Sequence, residues 1–225
     1  AVEQLAEQAG VELRALTKDE EKKISGRKKL YSIVEMANDF FINNLLSDNR
    51  ALGYLNERGI NKEVISEYKI GYAKDNFSSL HKYLLDKGKS NEDIMLAGLI
   101  IKSEKKKNSY YDRYRDRIIF PITNTYGKIV GFGGRVINED DKPKYMNSPE
   151  TEIFHKGNLL YNYSTIKSPV KEIDNLVVVE GYMDAISLCS EGFKNVVAPL
   201  GTAMTERQLN LIWDLVDSPI VCFDG

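Results

Sequence analysis

The run Asn-Leu-Val-Val-Val-Glu-Gly-Tyr-Met-Asp at residues 175–184 constrains the fold more than any other stretch of the chain. Its apolar part is short and mostly β-branched, which is typical of a strand buried on both faces of a parallel sheet. Residues 195–201 and 219–225 repeat a short apolar strand that leads to a glycine, and helix-length stretches separate the three strands. These features predict an α/β fold with a mostly parallel C-terminal sheet and helices on both faces.

Carboxylates follow two of these predicted strands. Glu180 ends the first strand, Asp224 ends the third, and Asp184 lies in the helical stretch after Glu180. Open α/β sheets bind ligands at the carboxyl ends of their strands, and Mg²⁺ and Mn²⁺ prefer oxygen ligands. The sequence therefore predicts a site for Mg²⁺ or Mn²⁺ formed by these three carboxylates. Asp184 has an alternative explanation, because the helix dipole favours an acidic residue in the first turn.

Charge is distributed unevenly along the chain, although the formal net charge is only −2. Residues 100–170 hold 13 Lys and Arg against 8 Asp and Glu, whereas residues 171–225 hold 3 against 9. A basic middle beside an acidic end suits a polyanionic substrate whose reacting end needs metal ions. Two solvated domains of different charge would give the same pattern, so charge by itself leaves both interpretations open.

Cysteine usage and hydropathy exclude several classes of protein. The two cysteines, Cys189 and Cys222, and the two histidines lack the spacing of a zinc site or a disulfide framework. Both cysteines lie in apolar surroundings and are expected to be buried, reduced thiols. The chain has no signal-peptide pattern and no apolar run of 18 residues. We therefore expect a cytoplasmic protein that does not interact with a membrane.

The first two thirds of the chain have a different pattern. An apolar stripe of helical period predicts a helix over residues 30–46, and the charged run at 18–29 is either a linker or the exposed start of that helix. A basic hairpin loop at 102–110 follows, and then two strands joined by a turn at 124–127. Further helices are predicted at 48–56, 61–68, 76–87 and 91–97.

Glycines interrupt the second of these strands. Gly131, Gly133 and Gly134 would weaken a strand unless something approaches it closely, and they lack the strand–turn–helix context of a dinucleotide-binding fingerprint. Residues 138–168 are predicted to be a loop, and a long loop with few core residues tends to carry function. Cations, an aromatic side chain and an amide that could bind phosphates and bases are dense in this loop: Lys144, Tyr145, Asn147 and Lys156.

Two groups of motifs resemble a known family. Val-Glu-Gly-Tyr-Met-Asp at residues 179–184, with Phe-Asp-Gly at 223–225, resembles the topoisomerase-primase (toprim) domain. The strings at residues 113–122, 131–135 and 143–156 resemble the motifs of bacterial DnaG-type DNA primase. The resemblance spans essentially the whole chain, and the string at 143–156 is its most specific part.

This resemblance implies the RNA polymerase core of a primase, which copies single-stranded DNA into RNA primers from ribonucleoside triphosphates at replication forks, within the replisome. It implies that Glu180, Asp184 and Asp224 bind the metal and carry the nucleotidyl transfer. For Arg58, the sequence also allows a role in capping a helix end. The resemblance implies nucleotide and template contacts by a larger set: Arg58, Arg113, Arg115, Arg135, Lys144, Tyr145, Asn147 and Lys156.

The chain departs from the family pattern at its C-terminus. The family motif is Asp-Gly-Asp, whereas this chain stops at Asp224-Gly225. The resemblance divides the chain into the tail of a preceding zinc-binding domain at 1–16, a basic α+β subdomain at 17–168 and a truncated toprim domain at 169–225. Zinc is expected only in the absent N-terminal domain, and the replicative helicase would bind through an absent C-terminal domain. We therefore expect a fragment with little activity by itself.

Two other functions are compatible with parts of the sequence. The toprim string by itself also fits nucleases and topoisomerases, which would cleave or relax DNA instead of making RNA. The string at 143–156 argues against them. The fragment could also be a non-catalytic module that binds single-stranded DNA, in which case its affinity would fall steeply with salt.

Overall fold

The computed structural model describes residues 16–166, 175–201 and 203–223. Within these ranges the chain forms seven α-helices, two four-stranded sheets and one two-stranded hairpin, which confirms the predicted α/β class. The segment predicted to be the tail of a preceding domain, residues 1–16, lies almost wholly outside the described residues. None of the helices in the described ranges has the length and apolar character needed to cross a membrane.

A 29-residue helix, α1 (Lys18–Leu46), opens the described chain. Thr17 caps it, because its hydroxyl accepts a hydrogen bond from the Glu20 amide and the Glu20 carboxylate accepts one from the Thr17 amide. The buried residues of α1 form a helical stripe from Leu30 to Leu45. The helix predicted at 30–46 is therefore confirmed, and the charged run before it is the exposed start of the same helix.

Four short helices follow α1 close to their predicted positions: α2 (Asn49–Glu57), α3 (Lys62–Glu67), α4 (Ser79–Asp86) and α5 (Asn91–Leu96). The side chain that precedes α2, α3 and α5 caps each of them locally. The first amides of α4, at Leu80 and His81, instead donate to the buried carboxylate of Asp112 at 2.9 Å. A tertiary contact therefore caps this helix.

Ten strands lie within the described ranges: β1 (Gly71–Ala73), β2 (Ile100–Lys102), β3 (Tyr110–Asp112), β4 (Arg117–Thr123), β5 (Ile129–Val136), β6 (Tyr145–Asn147), β7 (Leu160–Tyr161), β8 (Val177–Val179), β9 (Val196–Pro199) and β10 (Ile220–Cys222). An antiparallel sheet has the order β1-β4-β5-β6, and β2 pairs with β3 in a separate hairpin. The predicted basic hairpin and the two strands around the turn at 124–127 are confirmed. The prediction omitted β1, since three residues are too few to show a strand period.

The prediction that residues 138–168 form only a loop is wrong. Within this segment β6 joins the antiparallel sheet, where Tyr145 pairs with Arg135 and Asn147 pairs with Gly133. The segment also contains β7, which pairs with β9. Both strands are very short and gain their stability from partners elsewhere, so no local pattern indicates them.

The glycines of β5 lie where other side chains approach the strand closely, so the condition under which the strand tolerates them is met. A Cβ atom added at Gly131 would lie 2.6 Å from the Phe154 ring. A Cβ atom added at Gly133 would lie 2.8 Å from the Tyr182 ring. Both aromatic rings therefore pack directly on the backbone of β5, and a side chain at either glycine would overlap with them.

The C-terminal sheet has the strand order β10-β8-β9-β7. Both β10 and β9 run parallel to β8, whereas β7 is antiparallel to β9. Helix α6 (Tyr182–Ser190) connects β8 to β9, and α7 (Glu206–Trp213) connects β9 to β10. The three predicted strands and their mostly parallel arrangement are confirmed.

One hydrophobic core joins the two four-stranded sheets. It includes Phe120 of β4 together with Val179 and Ile186 of the C-terminal part. Tyr182, which is 5% exposed, connects them, because its ring centre lies 4.8 Å from that of Phe120 and 5.7 Å from that of Tyr161. This shared core fixes the C-terminal sheet against the antiparallel sheet.

The expectation that both cysteines are buried is wrong. Cys222 is exposed, and Cys189 is partly buried. The outermost strand of the C-terminal sheet, β10, carries Cys222, and every residue of this strand is exposed. An apolar sequence neighbourhood does not bury a thiol when its strand lies at the edge of a sheet. Both thiols are free, and burial raises the pKa of Cys189.

Replacing Gly133 with alanine tests the close approach of Tyr182 to β5. The added methyl group would overlap with the buried ring, so we expect the free energy of unfolding to fall by about 1–3 kcal/mol. Gly53 on α2 is a matched control, because nothing lies within 4 Å of a Cβ atom added there. Alanine at Gly53 should stabilise the helix by up to ~1 kcal/mol. Urea unfolding measures both variants, and a Gly133→Ala protein as stable as the wild type would contradict this packing.

Candidate active site

The C-terminal sheet brings the carboxyl ends of three strands to one edge. At this edge β8 ends at Val179, and the exposed Glu180 follows it. Cys222, the last residue of β10, pairs with Val179 in parallel register. On the other side of β8, the parallel strand β9 ends just before Leu200 and Gly201. We call Glu180, Leu200 and Gly201 the strand-end edge.

The other two predicted carboxylates have different positions. Asp184 lies in the first turn of α6, where its Oδ2 accepts a hydrogen bond from the Gly181 amide at 3.1 Å. It therefore caps this helix, in line with the alternative explanation from the sequence. Asp224 lies outside the described residues. Among the residues that the structure does describe, no three His, Cys, Asp or Glu side chains cluster as a metal site would require, so the metal roles of all three carboxylates stay predictions.

Two predicted binding residues contact the strand-end edge. Asn147 donates from Nδ2 to the carbonyl oxygen of Leu200 at 2.7 Å. The Lys156 side chain lies against Gly201, where an added Cβ atom would be 2.6 Å from Cε and 2.7 Å from Nζ of the lysine. The structure therefore brings an amide and an ammonium group to the end of β9, next to β8, the strand that Glu180 follows.

The turn that carries Lys156 is held from two directions. The Glu150 carboxylate accepts a hydrogen bond from the Lys156 amide at 3.0 Å and also lies 3.0 Å from Nδ1 of His155. From α7, the buried side chain of Gln208 donates to the Lys156 carbonyl oxygen at 3.2 Å. These groups border a cleft of about 330 Å³ beside the strand-end edge, which is lined by Glu150, Lys156, Gly157, Gly201, Ala203, Thr205 and Gln208.

Sequence reasoning missed the supporting residues Glu150, Thr205 and Gln208. Thr205 and Gln208 have the spacing of a capping box, and the Thr205 hydroxyl does accept a hydrogen bond from the Gln208 amide. That signal could have located the start of α7. It could not have revealed that Gln208 also holds the turn at Lys156, because the two residues lie 52 positions apart in the chain.

A second cluster forms around Arg135 of β5, which is only 6% exposed. Its Nε donates to the Tyr54 hydroxyl at 2.6 Å, its Nη1 donates to the Tyr145 hydroxyl, and its guanidinium lies 5.0 Å from the centre of the Tyr145 ring. Arg58 lies 4.7 Å from the centre of the Tyr54 ring and forms an ion pair with Glu139 at 3.3 Å. This Arg135 cluster unites three predicted binding residues with Tyr54, which sequence reasoning missed.

Two arginines of the antiparallel sheet carry buried positive charge. In the described part of the chain, neither Arg135 nor Arg117 forms an ion pair with a carboxylate. Arg117 is 5% exposed, and its Nη1 donates to the Pro143 carbonyl oxygen at 2.8 Å, directly before Lys144. Burial lowers the pKa of Arg117. Because a buried unpaired charge is costly, these two guanidinium groups favour the binding of an anion nearby.

The remaining predicted residues lie at the rim of these clusters or away from them. Lys144 is exposed in the segment just before β6. Arg113 and Arg115 follow β3, where Arg113 donates to a backbone carbonyl and the Arg115 guanidinium lies 4.2 Å from the centre of the Phe77 ring. Among the described residues, no hydrogen bond or ion pair joins Arg113 or Arg115 to the strand-end edge or to the Arg135 cluster.

Comparison with known proteins identifies the family of this chain. A family model described as the N-terminal domain of the DNA primase catalytic core matches residues 40–167, more than half of the chain. The chain belongs to the DNA primase catalytic core family. A second model, described as Toprim-like, matches residues 177–225, and this range contains Glu180 and the strands of the C-terminal sheet other than β7.

Known DNA primases resemble the chain along its whole length. The DNA primase of Pseudomonas putida is 39% identical over 230 residues, which cover 100% of this chain and 34% of the relative. A solved DnaG primase catalytic domain bound to single-stranded DNA has 36% identity and a TM-score of 0.80, over 90% of this chain and 65% of that one. The Aquifex aeolicus primase structure, with zinc-binding and RNA polymerase domains, has 34% identity and a TM-score of 0.80, over 100% of this chain and 53% of that one. The chain thus spans about a third of the length of the curated relatives that it matches.

The toprim fold and the primase family imply a divalent metal cofactor. The donor chemistry of the strand-end edge fits such an ion, because Glu180 is an exposed carboxylate at the end of a parallel strand and hard divalent cations take oxygen ligands. A role of Glu180 in holding the ion stays a prediction.

Replacing Tyr54 with phenylalanine tests the support of Arg135. Without the Tyr54 hydroxyl, the buried Nε of Arg135 loses its acceptor, so we expect the free energy of unfolding to fall by about 1.5–3 kcal/mol. Tyr126 is a matched control, since it is 88% exposed. The Tyr126→Phe variant should stay within ~0.5 kcal/mol of the wild type. Urea unfolding gives both values, and equal stability of the two variants would show that the Tyr54 contact contributes nothing.

Proposed function

We propose that this chain is the RNA polymerase core of a primase, which synthesises short RNA primers on single-stranded DNA from ribonucleoside triphosphates. One observation supports this proposal above the others. Asn147 and Lys156 lie at the carboxyl end of β9, next to the strand that ends at Glu180. A phosphate-binding ammonium group and a hydrogen-bonding amide thus lie where the primase family implies a metal. We propose primer synthesis as the activity of the complete protein, of which this chain forms a part.

In this proposal Glu180, Asp184 and Asp224 hold Mg²⁺ or Mn²⁺. A divalent ion at this position neutralises charge on the triphosphate and makes a 3′-hydroxyl a better nucleophile. Glu180 binds through its carboxylate oxygens at the end of β8. Cys222, which precedes Asp224 by two residues in the sequence, pairs with Val179, directly before Glu180.

The basic residues bind the triphosphate. Lys156 acts as a point charge at the strand-end edge, whereas Arg135 presents a guanidinium whose orientation the two tyrosine hydroxyls fix. An arginine held in this way binds a phosphate with two parallel hydrogen bonds. Lys144 and Arg58 add positive charge around the same cluster. Arg117 holds the Pro143 carbonyl and so positions the segment that carries Lys144.

Arg113 and Arg115 bind the DNA template in this proposal. The Arg115 guanidinium lies 4.2 Å from the centre of the exposed Phe77 ring and 5.5 Å from that of Tyr111. Exposed aromatic rings beside cations are typical of surfaces that bind single-stranded nucleic acid. A solved DnaG catalytic domain is bound to single-stranded DNA, which supports DNA as the partner. The same surface supports the second candidate, a single-strand binding module without catalysis, and RNA product distinguishes the two.

We also propose the division of the chain into a basic α+β subdomain at 17–168 and a toprim part at 169–225. The two family matches, at 40–167 and 177–225, support a boundary near residue 168. Residues 1–16 are then the tail of a zinc-binding domain, and zinc belongs to that domain. The complete protein acts at the replication fork with the replicative helicase.

The exchange of Glu180 for glutamine tests the metal assignment. The amide keeps the shape of the side chain but removes its charge, so primer synthesis by the complete protein should fall at least ~100-fold. Binding to single-stranded DNA should be retained. Glu191→Gln is the control, because Glu191 is exposed at the far end of α6 and should be as active as the wild type. Primers that form at the normal rate in the Glu180→Gln protein would refute the assignment.

Alanine substitutions at Lys144 and Lys156 test the nucleotide contacts. Loss of a charge-assisted bond to a phosphate should raise the KM for ribonucleoside triphosphates about 10-fold in each variant. Lys194→Ala is the control, since Lys194 is exposed after α6. Steady-state primer synthesis at varied nucleotide concentration measures KM and kcat. If both constants are unchanged in the Lys144 and Lys156 variants, these residues do not contact the nucleotide.

A further inference from the structure

We propose that the tip of the β2–β3 hairpin is a further nucleic-acid contact, which binds the phosphate backbone of single-stranded DNA beyond Arg113 and Arg115. This inference rests on the template-binding part of the proposed function. The hairpin tip is residues 102–109, Lys-Ser-Glu-Lys-Lys-Lys-Asn-Ser, with four lysines and one carboxylate. The roles that the primase resemblance implies do not include any of these residues.

Internal hydrogen bonds hold the hairpin tip in a defined turn. The Ser103 amide donates to the Ser109 carbonyl oxygen at 2.8 Å, and the Lys106 amide donates to the Ser103 hydroxyl at 3.2 Å. Asn108 has a φ of 59°, a left-handed conformation that asparagine tolerates better than most residues. The backbone that displays the lysines is therefore already ordered, and binding costs less conformational entropy than it would for a flexible segment.

The lysines of the hairpin tip are exposed and carry uncompensated charge. Lys102, Lys105, Lys106 and Lys107 all lie on the surface. Within the described part of the chain, none of them forms an ion pair or lies over an aromatic ring. Neighbouring like charges repel one another, and a polyanion relieves that repulsion when it binds and releases its own counterions.

The hairpin joins these lysines to the proposed template surface. Lys102 pairs with Tyr110, whereas Tyr111 pairs with Ile101 and so points to the opposite face of the hairpin, where it lies 5.5 Å from the Arg115 guanidinium. That guanidinium in turn lies beside the exposed Phe77 ring. The hairpin therefore leads within a few residues from the lysines to the ring of Tyr111 and to Arg115, which lies beside the ring of Phe77 in a neighbouring segment. A DNA strand that follows this path can place phosphates on the lysines and bases on the rings. An acidic protein would match the lysines but would not account for the exposed aromatic ring.

The distance between the hairpin tip and the Arg115 surface determines whether the lysines can act on DNA that is bound at that surface. At ~3.3 Å per residue along a strand, Lys105, Lys106 and Lys107 lie roughly 10–15 Å from Tyr111. The Debye length at physiological ionic strength is about 8 Å, so their charge is largely screened at the Arg115 surface. These lysines can raise DNA affinity only by contacting phosphates themselves, and such contacts have a measurable salt signature.

The test measures how salt affects binding of the complete protein to a fluorescent 30-nucleotide oligothymidylate. The hairpin variant carries glutamine at three positions: Lys105, Lys106 and Lys107. Its slope of log K against log salt should be shallower than that of the wild type by about 2, because each lost phosphate contact contributes ~0.7. The control variant has the same change in charge at exposed lysines on other surfaces, Lys23, Lys62 and Lys194. It should keep the wild-type slope.

The outcomes separate this inference from the proposed function. If the hairpin variant keeps the wild-type slope while Arg115→Gln still weakens binding, the hairpin inference is wrong and the proposed template surface stands. If the wild-type protein binds the oligothymidylate with no salt dependence, both are wrong. Since the substituted side chains are exposed, the free energy of unfolding should change by less than ~0.5 kcal/mol, so a loss of slope reports on binding.

Discussion

The candidate site depends on the contact between the Tyr182 ring and the bare backbone of Gly133. Tyr182 is the first residue of α6 and lies two positions after Glu180, whereas Gly133 lies two positions before Arg135 and pairs with Asn147. The contact therefore fixes the edge that carries Glu180 against β5 and β6, the strands that carry the proposed binding residues Arg135, Tyr145 and Asn147. Burial raises the pKa of Tyr182, so the ring stays neutral and packs as an apolar group. No side chain larger than hydrogen fits at Gly133 without moving this ring.

Electrostatics explains why the structure tolerates features that cost stability. Arg135 and Arg117 are buried without a carboxylate partner in the described residues, an arrangement that a protein selected for stability alone would avoid. Each guanidinium is held in place by neutral acceptors, namely tyrosine hydroxyls for Arg135 and a backbone carbonyl for Arg117. Neutral groups thus orient both charges, and the Asp141 carboxylate acts on Arg117 only from beyond ion-pair distance. In the function that we propose, this positive region would bind a metal-bound triphosphate.

Sequence patterns predicted the local elements of this fold well. Apolar patterns located the long helix and the three parallel strands of the C-terminal sheet, and the structure supplies the close approach that the β5 glycines would require. The patterns failed where stability comes from distant partners. The patterns predict a loop at β6 and β7 because two or three residues carry no period. They predict a buried Cys222 because apolar neighbours do not reveal that a strand lies at the edge of a sheet. Local patterns also do not predict that Asp112 caps α4, because Asp112 lies 32 positions after Leu80, whose amide donates to it.

By itself, the sequence determined that a carboxylate follows a buried parallel strand, that the β5 glycines weaken their strand unless something approaches it closely, and that the motifs resemble those of primases. These properties follow from the order of residues along a few turns or strands, where burial and backbone preference act locally. Only the tertiary structure decided that Tyr182 fills the space at Gly133, that Asn147 reaches Leu200, and that Lys156 lies over Gly201. Such contacts depend on the register of β6 against β5 and on how the two sheets pack. A shift of one residue in that register would turn Asn147 to the opposite face of its strand.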